Sequence, residues 1–159
     1  MELAKKDSAL GALLRGLVRR QSVQILNDVY ANAHNYASWQ ANTPHAGDAT
    51  TKPSFLGTRV AAMNPMIFER KYELDSLCAF IKLSRTYFAA TNDTTPFTSK
   101  WIDAVALVLD TMVEMQTPTA QYSGTYTFQR CDSCEPMDTL QHGVGWPAAR
   151  TGMVRSCFR

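Results

Sequence analysis

Apolar residues recur at three- and four-residue intervals along three stretches of the chain, a period that specifies helices packed by one face. Over residues 8–28 the stripe is Leu10, Leu13, Leu14, Leu17, Val18 and Ile25. Asp7 or Ser8 can cap its start, because a side-chain oxygen there accepts a free amide of the first turn. The period predicts a second helix over about 68–90. A third spans about 98–115, after Pro96, with Thr98 or Ser99 as its cap. Its apolar set is Trp101, Ile102, Val105, Leu109, Met112 and Val113. The short link Thr91-Asn92-Asp93-Thr94-Thr95-Pro96 makes an α-hairpin of the last two. The expected fold class is all-α.

Between these helices the period fails. Residues 35–66 contain Asn42, Pro44, Gly47, Asp48, Pro53, Gly57, Asn64 and Pro65, and read as a long loop. A loop of about 30 residues is uncommon inside a domain and tends to be functional or disordered. After Pro118, Tyr122, Tyr126 and Phe128 with intervening threonines favour extended backbone. Residues 131–152 are rich in turn formers and read as an irregular loop. With 159 residues, one domain and no second one is expected.

Charge narrows the partners. Net charge is +2, too little to argue for nucleic acid or an anionic membrane. The basic cluster Arg15, Arg19 and Arg20 lies off the apolar stripe and is explained by a solvated helix face. No stretch approaches the length of a membrane span. The start, Met1-Glu2-Leu3-Ala4-Lys5-Lys6-Asp7, has no apolar core of a signal peptide. Charged residues are only 19% of the chain and apolar ones 45%, which suits a chain that buries surface against something further.

The second stretch holds an oddity. At 100° per residue, Leu74, Leu77, Phe80, Ile81, Tyr87 and Phe88 define an apolar arc. Glu69, Arg70 and Glu73 fall within that arc at its N-terminal end, while Lys71, Asp75 and Lys82 lie opposite. Charges on a core-facing stripe are costly unless paired or facing a polar cavity. Two readings are open at this point. One is a buried ion-pair cluster, Glu69 with Arg70 or Glu73 with a distant Arg, beside a plain Lys71–Asp75 pair. The other is a helix end opening onto a polar pocket.

The run Phe68-Glu69-Arg70-Lys71-Tyr72-Glu73-Leu74-Asp75-Ser76-Leu77-Cys78 resembles a signature of glycoside hydrolase family 125, the metal-independent exo-α-mannosidases. Other stretches resemble the family in order: Gly16-Leu17-Val18-Arg19-Arg20-Gln21, Asn27-Asp28-Val29-Tyr30-Ala31-Asn32-Ala33 and Tyr126-Thr127-Phe128-Gln129-Arg130. Asp138-Thr139-Leu140, His142-Gly143-Val144-Gly145-Trp146-Pro147 and Thr151-Gly152-Met153 to Phe158-Arg159 come after them. Ala79-Phe80 departs from the family's usual Tyr-Pro pair, and Cys131 and Cys134 are unusual in their loop. The family's Arg-Asp-Ser motif is expected before residue 1 and its Pro-Ser-Asp-Asp motif after Arg159, and neither is within the chain.

The resemblance implies part of an (α/α)6 barrel, six α-hairpins around a central pocket, with no cofactor and no metal. It implies a mannose-containing oligosaccharide as substrate and the remainder of the barrel as partner. Its chemistry is inverting hydrolysis, in which one carboxylic acid protonates the leaving oxygen and a second carboxylate activates water. The resemblance puts that pair beyond Arg159, with Asp138 the best candidate acid inside the chain. Glu69, Arg70, Glu73 and Asp75 would order the pocket, and Arg130, His142 and Trp146 would contact sugar. A Trp offers a flat apolar face to a pyranose, and Arg offers several donors to hydroxyls. A non-catalytic, carbohydrate-binding fragment is the alternative. A third reading takes Cys131-x-x-Cys134 with His142 and Cys157 as a zinc site, although that spacing matches no common finger. Part of a ring leaves helix faces uncovered, so the chain is expected to be aggregation-prone.

Overall fold

The computed structural model describes residues 3–35, 64–124, 126 and 152–155. A short helix α1 (Leu3–Lys6) precedes α2 (Ser8–Asn27), β1 (Ala33–His34), β2 (Ile67–Glu69), α3 (Leu74–Thr91) and α4 (Ser99–Glu114). A 3-10 turn over Thr119–Gln121 comes last. The chain divides into two compact units. One comprises Met1–Val29 and Asp75–Thr111, the other Tyr30–Leu74 and Met112–Arg159. The two loops expected over 35–66 and 131–152 lie, apart from their ends, outside the described residues.

The first unit is helical. Asp7 caps α2, its Oδ1 accepting the Ala9 and Leu10 amides at 2.9 and 3.1 Å. The α-hairpin forms as the period predicts. At its turn the Asn92 amide donates to the Phe88 carbonyl. Asn92 itself is left-handed, φ 55°, a conformation Asn tolerates after a helix end. The turn packs through a run of rings: Phe88 and Phe97 meet edge-on at 5.9 Å, as do Phe97 and Trp101 at 4.8 Å. The Trp101 indole N–H donates to Ser84 Oγ at 3.0 Å, which satisfies a buried hydroxyl.

Asp93 ties this turn to α2. Its Oδ2 accepts from the Tyr87 hydroxyl at 2.5 Å and from Arg15 at 3.2 Å, and its Oδ1 accepts the Thr95 amide at 2.8 Å. Arg19 adds a bond to the Thr95 carbonyl at 2.9 Å. The Tyr87 bond, then those from Thr95, hold the Asp93 carboxyl well below the usual carboxylate range, with Arg15 adding to them. Burial, then Asp93, push the Tyr87 phenol upward.

Two expectations need correction. The second helix starts at Leu74, not near 68, so Phe68, Glu69, Arg70 and Glu73 are not helical. The cause is hydrogen bonding: Ile67–Glu69 pairs antiparallel with Ala33–His34, and the Tyr72 amide goes to the Tyr126 hydroxyl. Those partners replace the carbonyls one turn earlier that a helix would need. The expected Lys71–Asp75 pair is also replaced, because Lys71 bonds Glu73 at 3.1 Å. No strand forms at Tyr122 or Tyr126 among the described residues, and Phe128 is not among them.

The buried face of α4 is rotated from its expected stripe, of which Trp101, Val105 and Met112 remain half-buried. Small residues Ala104, Val108 and Thr111 are buried, while Ile102, Leu109 and Val113 are 60%, 55% and 66% exposed. On α2, Val18, Ser22 and Ile25 are buried and Leu13 is 67% exposed. Helices apolar on both sides are ordinarily covered on both.

Two outcomes are expected. Asp93→Asn removes a carboxylate whose folded-state pKa is depressed, so its stabilisation is present at neutral pH and fades as pH falls below about 4. Thermal midpoints should show the variant less stable at pH 7, with the gap narrowing steadily as pH falls from about 4 to 2; an unchanged gap would contradict this. Light scattering should show the parent self-associating and an Ile102→Lys/Leu109→Lys double variant doing so far less, at equal helical circular dichroism. A monodisperse parent at high concentration would refute that expectation.

Candidate functional site

The charged run after β2 is held by its neighbours in the second unit. Asn35 Nδ2 donates to the carbonyls of Pro65 and Ile67 at 3.0 and 3.2 Å, which anchors the start of β2. Asn32 fixes the end of β2 and the residues next to it. Its amide donates to the Glu69 carbonyl at 3.2 Å, and its Nδ2 donates to Glu69 Oε2 at 2.5 Å. Its Oδ1 accepts the Lys71 amide at 3.3 Å. One asparagine therefore uses backbone and both ends of its side chain to set residues 69–71. This extended course separates the charges that a helix would have lined up, since alternate residues of extended chain point to opposite sides.

Arg70 lies against an aromatic cluster. The rings of Tyr30 and Tyr126 stack with centroids 4.5 Å apart and planes at 16°. Tyr72 meets them edge-on at 6.5 and 6.2 Å. Tyr72 and Tyr126 are fully buried. The Arg70 guanidinium carbon stands 5.1 Å from the Tyr30 centroid and 5.4 Å from that of Tyr126, within cation–π range of both. The Tyr72 amide donates to the Tyr126 hydroxyl at 2.6 Å, joining the cluster to the backbone just before α3.

The end of α4 supplies the other support. Glu114 Oε2 accepts from the Tyr30 hydroxyl at 2.6 Å, and Oε1 accepts from the Tyr122 hydroxyl at 2.8 Å. Burial, then the bond to Glu114 and its charge, push the Tyr122 phenol far upward. Arg155 lies over the Tyr122 ring at 5.3 Å. It donates from its backbone to the Met115 carbonyl at 3.0 Å and from its guanidinium to the Thr117 carbonyl at 3.1 Å. Both carbonyls lie just past the end of α4, so Arg155 pins the turn that follows the helix.

Of the residues expected from sequence, Glu69 bonds Asn32, Arg70 lies over the Tyr30 and Tyr126 rings, and Glu73 pairs with Lys71. Asp75 opens α3 as an exposed residue, its Oδ1 accepting the Ser76 amide at 2.9 Å. Asp138, Arg130, His142 and Trp146 lie outside the described residues, as do Cys131, Cys134 and Cys157 of the zinc reading. Sequence reasoning passed over Asn32, Tyr30, Tyr72 and Tyr126 as individual residues, although each sits in a stretch that carries the family resemblance. Glu114 and Tyr122 had no signal, since an acid at a helix end and a tyrosine after a proline are both common. Chemically the segment offers a multi-donor cation seated on aromatic rings, and such a group can donate to hydroxyls. Among the described residues no group of His, Cys, Asp and Glu is placed to hold a metal ion.

Comparison with known proteins points the same way. The profile of the family "Metal-independent alpha-mannosidase (GH125)" matches residues 1–159. The Meiotically up-regulated gene 157 protein of Schizosaccharomyces pombe is 33% identical over 168 residues, covering 100% of this chain and 32% of that protein. A Streptococcus pneumoniae structure, reported within a family of widely distributed metal-independent α-mannosidases as a non-productive complex with α-1,6-mannobiose, superposes with a TM-score of 0.78. It is 32% identical, and the match covers 99% of this chain and 34% of the other. The fold is thus all-helical in class and part of an (α/α)6 barrel, as the resemblance implies. The chain spans about a third of the length of the relatives it matches.

The cluster yields a stability test. Tyr126→Phe keeps the ring and deletes the oxygen that accepts the Tyr72 amide in a buried setting. An unsatisfied buried amide costs about 1–3 kcal/mol, so denaturant unfolding should show a loss of that size. A variant as stable as the parent would mean that this bond does not hold the segment.

Proposed function

The chain belongs to the metal-independent α-mannosidases of glycoside hydrolase family 125, and from that premise we propose that it supplies part of the sugar-binding wall of an inverting exo-α-mannosidase. Arg70 carries this reading. Its guanidinium is seated against two stacked rings in a motif that resembles the family signature, with Glu69 and Glu73 close to it in sequence and in the same unit. In this reading Arg70 donates to mannose hydroxyls, and Glu69, Glu73 and Asp75 order the pocket edge. Arg130, His142 and Trp146 belong to the same wall, with Trp146 offering a flat face to the sugar ring.

An inverting glycosidase needs an acid above the glycosidic oxygen and a base holding water on the opposite face of the ring, roughly 6.5–9.5 Å apart. We assign that pair to sequence outside these 159 residues, with Asp138 the in-chain candidate for the acid. Support comes from the coverage of the relatives: most of the length of each matched protein has no counterpart here. The chain then works with the remainder of the barrel as its partner, and the exposed apolar sides of α2 and α4 suit such a partner. The substrate is a terminal α-linked mannose of a glycan, in keeping with the mannobiose held by the pneumococcal relative.

Calorimetry with α-1,6-mannobiose and a chromogenic α-mannoside assay test the reading. The 159-residue chain should bind mannobiose without hydrolysing the α-mannoside above buffer. Arg70→Ala should weaken binding at least tenfold, the scale of a lost hydrogen bond to a charged group. Hydrolysis that disappears in Asp138→Asn would overturn the assignment of the catalytic pair. Unaltered binding by Arg70→Ala would remove Arg70 from the wall.

A further inference from the structure

Glu114 is the residue that neither the signature nor the proposed wall accounts for. It stands at the C-terminal end of α4, where the helix dipole disfavours a carboxylate. Yet both of its oxygens are engaged, one by the Tyr30 hydroxyl at 2.6 Å and the other by the Tyr122 hydroxyl at 2.8 Å. Hydrogen bonds to an ionised acceptor are stronger than neutral ones, so the carboxylate is a firm anchor for both phenols. The backbone is drawn in against this pair. A Cβ built on Gly124 would collide with Glu114 Oε1 and with the end of the Tyr122 side chain, so a larger residue there would push this pair aside.

The Tyr30 ring is a movable part unless something fixes it. A tyrosine can rotate or tilt about its side-chain bonds, and Tyr30 is only half-buried. One side of its fixation is the stack on Tyr126 at 4.5 Å. The other is its hydroxyl bond to Glu114, at the far end of the ring from the backbone. With both ends set, the ring presents a defined surface to the Arg70 guanidinium. Tyr122, braced by Arg155 at 5.3 Å, keeps the Glu114 carboxylate from swinging away.

We propose that Glu114 is a positioning residue for the sugar site: through the Tyr30 hydroxyl it holds the ring against which Arg70 is oriented toward substrate. It does not touch sugar. The proposal builds on the reading of Arg70 as a sugar contact, and it extends that reading to a residue on another helix. Tyr30 is the intermediate, and Tyr122 is the brace.

A double-mutant cycle on mannobiose affinity tests it, with thermal stability measured alongside. Glu114→Ala and Tyr30→Phe should each weaken binding about five- to tenfold, less than the loss of a direct charge-assisted hydrogen bond to sugar because the link is indirect. Combined, they should weaken it no further than either alone, because both cut the same link. Glu114→Gln, which keeps an acceptor oxygen, should recover most of the affinity. Tyr122→Phe should lower the melting temperature as Glu114→Ala does while costing less affinity, which separates positioning from general loosening. Wild-type affinity in Glu114→Ala, with Arg70→Ala still impaired, overturns the proposal and leaves the Arg70 reading intact. Additive losses in the cycle also overturn it, since the two residues would then act separately. Absence of mannobiose binding by the parent chain removes the Arg70 reading and the proposal together.

Discussion

The bond from the Tyr72 amide to the Tyr126 hydroxyl decides where a helix may begin. In a helix continuing back through the charged run, that amide would bond to the carbonyl of residue 68. Here it is taken by a side chain, at 2.6 Å and fully buried, and α3 starts only at Leu74. The distinctive geometry of the run is its result. Glu69 turns to Asn32, Lys71 to Glu73, and Arg70 to the stacked rings of Tyr30 and Tyr126. A continuous helix would have set Glu69 and Glu73 one above the other on a single face. Extended backbone gives each its own partner.

The helical parts of the chain were legible because they are local. Asp7 as a cap, the span of α2 and the hairpin of α3 and α4 all come from short-range period and turn chemistry. The start of α3 was not legible because its cause lies far along the chain. Asn32 and Tyr126 act on residues 69–72 from distant positions, and nothing in the period of residues 68–90 records them. The charged residues were readable as candidates, but the wheel that grouped Glu69, Arg70 and Glu73 on one face was the wrong geometry. Their extended course comes from a short antiparallel pairing and an asparagine. Glu114 shows the same limit from the other direction: its meaning comes wholly from two tyrosines that fold back to it.

α4 marks a second limit of pattern reading. A stripe of large apolar residues is ordinarily the buried face. Here the described chain buries the lean side, Ala104, Val108 and Thr111, and leaves Ile102 and Leu109 outward. Period alone assigns one apolar face and has no means of ranking two. The coverage of the relatives gives the physical sense of this, because a helix inside a larger barrel has neighbours on more than one side.

That two-sided helix also bears on the order of folding. The hairpin of α3 and α4 closes over a short link through contacts near in sequence, so it can form early. Its turn is closed by the rings of Phe88, Phe97 and Trp101, without Ile102 or Leu109. Ile102 and Leu109 then remain outward while slower, non-local contacts are made. During synthesis this is an interval in which an adhesive surface is already built on a folded hairpin but not yet covered. Chains of this kind are the ones that chaperones bind and that misassemble when too many copies wait together.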